Sequence, residues 1–506
     1  MEIGTYITLG LYFALMLGIG LYSYRESTSD VSGYMLGGRR LGPAVASLSA
    51  GASDMRGWML LGLPGAMFLS GLSSAWIAIG LFIGALANYL IVAPRLRTYT
   101  VMADDAITIP DYFDKRFKDK SRLLRVISSL VIVIFFTLYT SSGLVAGGKL
   151  FESAFGLDYA WGLWITAGVV LAYTMVGGFM AVSLTDFVQG CIMFVALILV
   201  PIVALTQIGG VDGMTETVRG IDPGLLNLFQ GATVISVISA MAWGLGYFGQ
   251  PHIIVRFMAV RSLKDVPTMR NIGMSWMLVT LIGALSTGLV GLAYATRTGL
   301  EVADAETIFI LLSDVLFDPL ITGFLLAAIL AAIMSTISSQ LLVSSSSLTE
   351  DFYGIFLRRN APQKELVMIG RLAVLAVSLA AIFLALDPTN NVLGLVSNAW
   401  AGFGAAFGPL VILSLTWKRM TRNGALAGMI VGAATVLVWI YAPVLADGQT
   451  LSQGSGIYEI VPGFVLSWLA IWAVSLMGKP PAEDVQSTFE AVRQALHHKG
   501  EPETTR

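Results

Sequence analysis

The sequence has few charged, cysteine and histidine side chains, and these shortages exclude several classes of protein. Only 12% of the 506 residues are charged, whereas soluble domains carry about 25%, so a soluble globular protein is excluded. The single cysteine, Cys191, allows neither a disulfide framework nor a cysteine metal site. Of the three histidines, His252 is expected in a loop and His497 and His498 in a C-terminal tail, which disfavours a buried zinc site. The net charge of −2 gives no indication of nucleic-acid binding.

Long apolar runs take the place of the missing charge. The chain is 56% hydrophobic, and its mean hydropathy is +0.77, which predicts an all-α polytopic membrane protein. Because about 20 apolar residues span a bilayer, thirteen transmembrane helices are predicted, at 4–23, 43–70, 73–93, 123–149, 160–181, 187–207, 230–250, 271–295, 319–345, 367–386, 391–416, 424–444 and 460–477. No positive charge precedes the first window, so it is expected to be a retained helix rather than a signal peptide.

Lysine and arginine are distributed unevenly between the connections. All but four of the 30 basic residues lie in one set of alternate connections or in the tail, and Arg256 is assigned to one of those connections. The exceptions are Lys149, Arg219 and Arg297 in the other set and Arg56 inside a window. Because cytoplasmic connections are enriched in Lys and Arg, the N-terminus is predicted outside and the C-terminus inside.

A carboxylate, Asp54, lies within the second apolar window, in the run LSAGASDMRGW at 48–58. A charge at bilayer depth costs roughly 3 kcal/mol or more and normally lies on an ion or substrate path. The small residues on both sides weaken the helix, and an unwound stretch frees backbone carbonyls that can coordinate a cation. This pattern predicts an ion-coupled transporter.

The seventh window is the counterpart of the second if the protein contains inverted five-helix repeats. Window 230–250 holds three closely spaced glycines and is followed by Pro251, a composition that disfavours a continuous helix. The same glycines are also compatible with close helix packing. Trp243 and Tyr247 are four residues apart and are expected to share a helix face, where they either line a small-molecule pocket or pack in the core.

Four further polar or aromatic residues are candidate functional residues, and each also has a purely structural interpretation. Ser335 and Thr336 are either neutral ligands of a cation or ordinary interhelical hydrogen-bond partners. Asp186 is either on an ion-exit route or a solvated loop carboxylate, and Tyr139 either contacts a substrate or packs. No nucleophile–base pair can be assembled from these windows, which disfavours an enzyme.

Four motifs in the sequence resemble the sodium/solute symporter family and, within it, the bacterial sodium/proline symporters. They are LSAGASDMRGWMLLGLP at 48–64, WGLGYFGQPHIIVR at 243–256, AILAAIMSTISSQLL at 328–342 and AWAGFGAAFGP at 399–409. The resemblance implies a LeuT-type fold with repeats at about 43–207 and 230–416, one extra helix before them (4–23) and two after (424–444, 460–477). It implies one transporter domain, 1–479, followed by a cytoplasmic tail, 480–506.

The resemblance also implies roles for single residues. The residues that would hold Na⁺ are the backbone carbonyls of Ala52, Met55 and Ala332 and the hydroxyls of Ser335 and Thr336. Asp54 would support this site, Asp186 would lie on the exit route and Arg39 would serve ion coupling. The residues that would surround L-proline are Tyr139, Trp243, Tyr247 and Pro251, with Gly57 and Trp58 beside them. Na⁺ would be the coupling ion, with no cofactor.

Arg56 departs from the family pattern, because similar symporters usually have a serine there. The arginine could hold a substrate carboxylate, pair with Asp54 or line an outer vestibule, and we expect it at the edge of the substrate cavity. The predicted function is Na⁺-coupled uptake of L-proline by alternating access across the bacterial cytoplasmic (inner) membrane, with no obligate protein partner. The alternatives are another amino acid or a small carboxylate as solute, or a membrane sensor or channel on the same fold.

Overall fold

A computed structural model of the chain describes residues 2–27, 30–55, 57–387 and 392–498. Its α-helices, numbered in chain order, are α1 (Ile3–Ser27), α2 (Val31–Leu36), α3 (Pro43–Asp54), α4 (Leu63–Ser70), α5 (Ala75–Met102), α6 (Ile109–Phe117), α7 (Leu123–Phe155), α8 (Tyr159–Gln207), α9 (Gly210–Ile221), α10 (Val234–Met241), α11 (Pro251–Ala259), α12 (Val266–Thr298), α13 (Ile308–Leu316), α14 (Pro319–Ser346), α15 (Gln363–Ala385), α16 (Val392–Thr416), α17 (Arg422–Tyr441), α18 (Leu451–Ser455), α19 (Ile460–Met477) and α20 (Glu483–His498). Within these described ranges, β pairing is limited to one isolated bridge between Leu41 and Val260. The prediction of an all-helical protein is confirmed.

Ten helical stretches in the described ranges are long and apolar enough to cross a membrane. They are Ile3–Arg25, Trp58–Met102, Leu123–Glu152, Tyr159–Gln207, Leu263–Thr298, Pro319–Leu357, Gln363–Ala385, Val396–Thr416, Arg422–Tyr441 and Ile460–Met477. Their number is lower than the number of apolar windows because adjacent windows merge into continuous helical stretches and the seventh window is divided into shorter helices. Hydropathy reports composition, and it does not report where the backbone turns.

The second and seventh apolar windows are both interrupted in the described part of the chain, as expected. After α3 ends at Asp54, a π-helical turn, Trp58–Gly62, precedes α4. After α10 ends at Met241, a 3₁₀-helix, Ala242–Gly249, precedes α11. Pro251 is the first residue of α11, a position that tolerates proline because the first N–H groups of a helix lack a partner in the helix.

The two interrupted segments meet at one end through a short parallel backbone bridge. The Leu41 N–H, just before α3, donates to the Ala259 carbonyl at 3.2 Å, and the Arg261 N–H donates to the Leu41 carbonyl at 2.9 Å. The start of α3 therefore lies beside the end of α11. This is the relation expected of equivalent helices in two inverted repeats.

The longest helix, α8, has 49 residues and changes direction at Gly178. At 1.5 Å per residue its length is about 74 Å, whereas the hydrocarbon core of a bilayer is about 30 Å thick. Gly178 has φ +58° and ψ −149°, and a Cβ there would lie 2.6 Å from the Tyr34 ring. Glycine is required at this position both by the positive φ and by the close approach of Tyr34.

Helix α5 approaches the backbone of the 3₁₀-helix through Gly84. A Cβ on Gly84 would lie 2.2 Å from the Gly244 carbonyl oxygen. We therefore expect Gly84→Ala to lower the free energy of unfolding by about 1–3 kcal/mol, because backbone atoms must shift to make room. Thermal unfolding of the purified protein in detergent measures the loss. Gly168→Ala is the matched control, since a Cβ there meets no atom within 4 Å; equal losses in the two variants would contradict the expectation.

The C-terminal tail contains helix α20, which is docked on the rest of the protein. Its apolar residues Val485, Phe489 and Val492 are spaced four and three apart and are only 4%, 7% and 3% exposed. The Phe489 ring lies 6.4 Å from the ring of Tyr99, near the end of α5. The spacing places these three side chains on one face of α20, and that face is covered.

Charged groups hold the same helix at two further places. Lys118, which follows α6, pairs with Asp484 at 3.0 Å. Lys418, between α16 and α17, pairs with Glu490 at 3.0 Å. The Arg116 guanidinium lies over the Phe489 ring, 5.1 Å from its centroid. Helix α20 thus contacts α5, α6 and the α16–α17 connection together.

Candidate functional site

The end of α3 and the middle of α14 meet through neutral oxygen atoms. The Ser335 hydroxyl donates to the carbonyls of Ala52 at 2.7 Å and Ala332 at 3.2 Å, and the Thr336 hydroxyl donates to the Ala332 carbonyl at 3.2 Å. All four residues are buried. The Ala52 carbonyl is free to accept because the last carbonyls of a helix have no partner within it. Four of the five residues predicted to hold Na⁺ therefore lie together.

The fifth predicted residue, Met55, is the first residue after α3. It is 3% exposed, and its N–H donates to the Gly51 carbonyl at 2.9 Å. The two hydroxyls and the freed carbonyls form a set of neutral oxygen donors. Unwound carbonyls in interrupted helices coordinate Na⁺ in other transporters, so the chemistry of the set suits that ion. Its role in this chain stays a prediction.

Asp54 lies on the opposite side of α3 from this set. It follows Ala52 by two residues, a rotation of about 200° in an α-helix. Its carboxylate accepts a hydrogen bond of 2.5 Å from the Tyr247 hydroxyl, on the second interrupted segment. Asp54 therefore connects the two interrupted segments through this hydrogen bond. Its effect on an ion held by the neutral oxygen donors around Ser335 is electrostatic, because it lies on the other side of α3.

A cavity of about 30 Å³ lies between the two interrupted segments and α16. Asp54, Met55, Trp58, Trp243 and Trp400 are among its lining residues, and we call it the aromatic cavity. The Trp58 and Trp243 rings stack with centroids 6.0 Å apart and planes 16° apart. The Trp400 indole N–H donates to the Trp243 carbonyl at 2.9 Å. Aromatic walls around a carboxylate suit a small solute with an apolar body and a charged end.

Trp243 and Tyr247 do not share a helix face, so that expectation was wrong. They lie in the 3₁₀-helix Ala242–Gly249, where three residues make one turn and residues four apart differ by about 120°. The Trp243 ring faces Trp58, whereas the Tyr247 ring meets Trp400 edge-on at 5.3 Å. The two residues therefore reach different parts of the site.

The other predicted substrate residues do not all reach the aromatic cavity. Tyr139 is buried on α7 against Phe136, with ring centroids 6.3 Å apart, and Pro251 is buried at the start of α11. Neither belongs to the lining of the aromatic cavity. Gly57 is close to α14, since a Cβ on it would lie 3.4 Å from Ile333. Arg56 lies outside the described residues.

Asp186 is fully buried in α8, so the interpretation as a solvated loop carboxylate was wrong. Its Oδ2 accepts hydrogen bonds from Ser49 at 2.7 Å, from Arg256 at 3.1 Å and from Ser339 at 3.4 Å. Arg256 also donates to Ser339 at 2.6 Å and to the His252 carbonyl. This buried ion pair joins α3, α8, α11 and α14.

The assignment of Arg256 and His252 to a loop was also wrong. Both lie in α11 and are fully buried, because the second interrupted segment continues to Ala259, beyond the end of the apolar window at 250. The signal that could have found this helix is Pro251, a residue favoured at the first position of a helix. Trp400 was missed as well, although it lies in a glycine-rich motif, because its role depends on a contact with another segment.

Arg39 lies where the ends of three elements meet. Its guanidinium pairs with Asp105 at 2.8 Å and donates to the carbonyls of Met258 at 2.6 Å and Ala106 at 2.5 Å. The segment that leads into α3 is thereby fixed to the end of α11 and to the connection after α5. The coupling role expected for Arg39 stays a prediction.

Comparison of the sequence with known proteins gives close relatives along the whole chain. It is 59% identical over 499 residues to the osmoregulated proline transporter of Bacillus subtilis, covering 99% of this chain and 100% of that protein. It is 58% identical over 481 residues to the high-affinity proline transporter of the same organism (95% and 100% covered). It is 54% identical over 496 residues to sodium/proline symporter 2 of Staphylococcus saprophyticus (97% and 96% covered).

Two solved structures share the fold. A sodium-coupled sialic acid symporter in a substrate-bound outward-open state matches with a TM-score of 0.81 at 19% identity, covering 95% of this chain and 99% of that one. The transporter Mhp1 of the nucleobase-cation-symport-1 family, closed around bromovinylhydantoin, matches with a TM-score of 0.58 at 12% identity (92% and 99% covered). The sequence profile of the sodium:solute symporter family matches residues 34–432, and the chain belongs to that family of transporters.

Proposed function

We propose that this protein takes up L-proline together with Na⁺ across a bacterial cytoplasmic membrane by alternating access. The observation that carries the proposal is the neutral oxygen set between α3 and α14, where the Ser335 hydroxyl reaches the freed Ala52 carbonyl at 2.7 Å. The family supplies the transport class, and three relatives more than half identical in sequence are named for proline. The ten apolar helical stretches in the described part of the chain indicate that the protein crosses the membrane several times.

The proposal includes thirteen spans with the N-terminus outside and the C-terminus inside. The change of direction at Gly178 supports counting α8 as two spans, and each interrupted segment counts as one. The position of the start of α3 beside the end of α11 supports two inverted repeats, at about 43–207 and 230–416. We assign residues 1–479 to a single transporter domain and 480–506 to a cytoplasmic tail.

In this mechanism Na⁺ links α3 to α14. The ion takes the carbonyls of Ala52, Met55 and Ala332 and the hydroxyls of Ser335 and Thr336 as ligands, in place of the present hydrogen bonds. This holds the end of α3 against α14 and thereby fixes the wall of the aromatic cavity that Met55 and Trp58 provide. Fixing the wall raises the affinity for proline, and by reciprocity proline raises the affinity for Na⁺ by the same factor.

Proline itself is placed in the aromatic cavity. Its pyrrolidine ring lies against Trp58 and Trp243, and its positive imino group is attracted by Asp54. Arg56, which follows Met55 in the sequence, is assigned to its carboxylate. Tyr139 and Pro251 act from behind the cavity wall, and Tyr247 positions the Asp54 carboxylate by its hydrogen bond. On the inner side, Asp186 lies on the ion-exit route and Arg39 couples the ends of the two interrupted segments.

Uptake of labelled proline into proteoliposomes tests the function. We expect accumulation under an inward Na⁺ gradient and none when K⁺ replaces Na⁺ on both sides. A panel of unlabelled amino acids and small carboxylates separates proline from the alternative solutes, since only the true substrate competes at low concentration. Uptake that persists without Na⁺, or that unlabelled proline does not reduce, would contradict the proposal.

Asp54→Asn removes the charge but keeps the size of the side chain and its ability to accept from Tyr247. We expect the Na⁺ concentration for half-maximal uptake to rise about tenfold or more, because a bound cation loses a nearby negative charge in a medium of low dielectric constant. Initial rates at several Na⁺ concentrations measure the change. Glu216→Gln is the control, because it removes a carboxylate that is 84% exposed and is not part of the proposed site. An unchanged Na⁺ requirement in Asp54→Asn would exclude this carboxylate from the ion site.

A further inference from the structure

A third aromatic ring continues the stack at the wall of the aromatic cavity. The Trp243 ring packs on Trp58, and it also packs on Tyr458, with centroids 5.0 Å apart and planes 24° apart. Trp58 and Trp243 line the cavity, whereas Tyr458 is not among the described residues of its lining. We call these three rings the aromatic stack. Trp243 is thus supported by a residue from outside the cavity wall.

Tyr458 comes from a part of the chain beyond the two proposed repeats. It lies in the connection between α17 and α19, two residues before α19 begins at Ile460. This connection, 442–459, contains no Lys or Arg, which fits its place on the outer side in the proposed topology. The support for Trp243 is therefore supplied by the two C-terminal helices and reaches the second interrupted segment from outside the repeats.

Hydrogen bonds from three helices fix the position of Tyr458. Its hydroxyl donates to the Ser397 carbonyl of α16 at 3.0 Å, and its N–H donates to the Ser239 hydroxyl of α10 at 3.1 Å. The preceding carbonyl, of Ile457, accepts from the Trp439 indole N–H of α17 at 3.1 Å. A side chain held in this way keeps its neighbour in a defined orientation. Tyr458 can therefore act as a fixed backing for the Trp243 ring.

The size of the aromatic cavity makes this backing important. Its volume of about 30 Å³ has room for roughly two water molecules, and L-proline is larger. The wall therefore has to yield when the solute enters, and Trp243 is one of its large movable side chains. How far Trp243 can be displaced depends on Tyr458, against which its ring packs.

We propose that Tyr458 is a positioning residue for the solute, which limits the displacement of Trp243 and thereby sets the affinity and the ring-size selectivity of the aromatic cavity. This inference rests on the proposed proline transport and goes beyond it, because it gives the connection between α17 and α19 a part in selecting the solute. The supported Trp243 leaves space for a pyrrolidine ring. A piperidine ring, which carries one further methylene, needs more space.

The kinetics of proline uptake into proteoliposomes test the positioning role. Tyr458→Ala removes the third ring, and we expect the KM for proline to rise about threefold to tenfold, as the loss of an aromatic contact implies. The maximal rate should change less than about twofold. Tyr458→Phe keeps the ring and should recover most of the loss. The Na⁺ concentration for half-maximal uptake at saturating proline should stay unchanged, since the effect is confined to the solute side.

Competition by the piperidine homologue of proline tests the selectivity. In the wild type it should inhibit uptake of labelled proline more weakly than unlabelled proline does, because one extra methylene is poorly accommodated in a fitted apolar site. In Tyr458→Ala the ratio of the two half-inhibitory concentrations should fall about threefold or more, since Trp243 can withdraw into the vacated space. A general structural defect would weaken both competitors equally and leave this ratio unchanged.

Controls keep the result open to contradiction. Tyr441→Ala removes a tyrosine side chain that is 62% exposed at the end of α17, and it should leave the KM and the selectivity unchanged. Thermal unfolding checks that Tyr458→Ala is folded, and Tyr458→Leu, which keeps apolar volume without a ring, replaces it if it is not. An unchanged KM, or a raised KM with an unchanged ratio, would overturn the inference. Wild-type uptake that follows the Na⁺ gradient and is inhibited by unlabelled proline would show that the proposed function survives this failure.

Discussion

Replacing Ser335 by Ala and Thr336 by Val together should nearly abolish the stimulation of proline uptake by Na⁺. The two changes remove both hydroxyl ligands of the proposed ion and leave its carbonyl ligands in place. We expect the Na⁺ concentration for half-maximal uptake to rise about 100-fold, since a lost ligand contact costs roughly 1–3 kcal/mol and each 1.4 kcal/mol corresponds to about tenfold. Uptake at saturating proline, measured over a wide range of Na⁺, reports the shift.

The single variants and one distant variant complete this experiment. Each single variant should show part of the shift, and Ser335→Ala should show more, because only Ser335 also contacts the Ala52 carbonyl across the gap between α3 and α14. Ser313→Ala removes a different buried hydroxyl, which donates within its own helix to the Phe309 carbonyl, and should leave Na⁺ dependence unchanged. Wild-type Na⁺ kinetics in the double variant would show that the two hydroxyls only pack the helices.

The second large effect is expected at the buried ion pair. Arg256→Met leaves the Asp186 carboxylate fully buried without its cation, and breaking such a pair costs about 3–5 kcal/mol. Asp186→Leu should destabilise by a similar amount, because it leaves the guanidinium uncompensated. The double variant should recover much of the loss, since apolar residues often replace a buried pair at little cost. Denaturation of the purified proteins in detergent measures the three free energies.

The decisive quantity is the difference between the loss of unfolding free energy in the double variant and the sum of the losses in the two single variants. If Asp186 and Arg256 act as a pair, the loss in the double variant is well below the sum of the single losses. Losses that simply add would contradict the pairing. Arg261→Met serves as the control, because Arg261 is 60% exposed and forms its ion pair with Asp265 near the surface; surface pairs contribute about 0–1 kcal/mol. This comparison separates the effect of burial from the effect of losing an arginine.

The sequence predicted the interruptions because their cause is local. Glycines and small residues around Asp54 and Tyr247, and Pro251 after them, weaken a helix whatever surrounds it. The pairing of Ser335 and Thr336 with Ala52 could be expected only from the resemblance, since the residues are far apart in sequence. Residue spacing alone does not indicate which helix faces which.

The features that the sequence did not predict depend on contacts between distant segments or on the type of helix. Arg256 looked like a cytoplasmic loop residue because an arginine ends an apolar window, and only the buried partner Asp186 makes its burial tolerable. Trp243 and Tyr247 were assigned a shared face by the α-helical period, which a 3₁₀-helix does not follow.

The docked terminal helix α20 restricts how the elements that it contacts can rearrange during a transport cycle. Any movement that separates α5 from the α16–α17 connection has to break the contact between Lys418 and Glu490 or withdraw Phe489 from Tyr99 and Arg116. Such a tether favours arrangements in which these elements travel as one body. For protein engineering, a purification tag or fluorescent fusion therefore belongs after His498. A shortened version that stops before Glu483 would expose the apolar surface that Phe489 now covers beside Tyr99 and Arg116, and would free these elements to move separately.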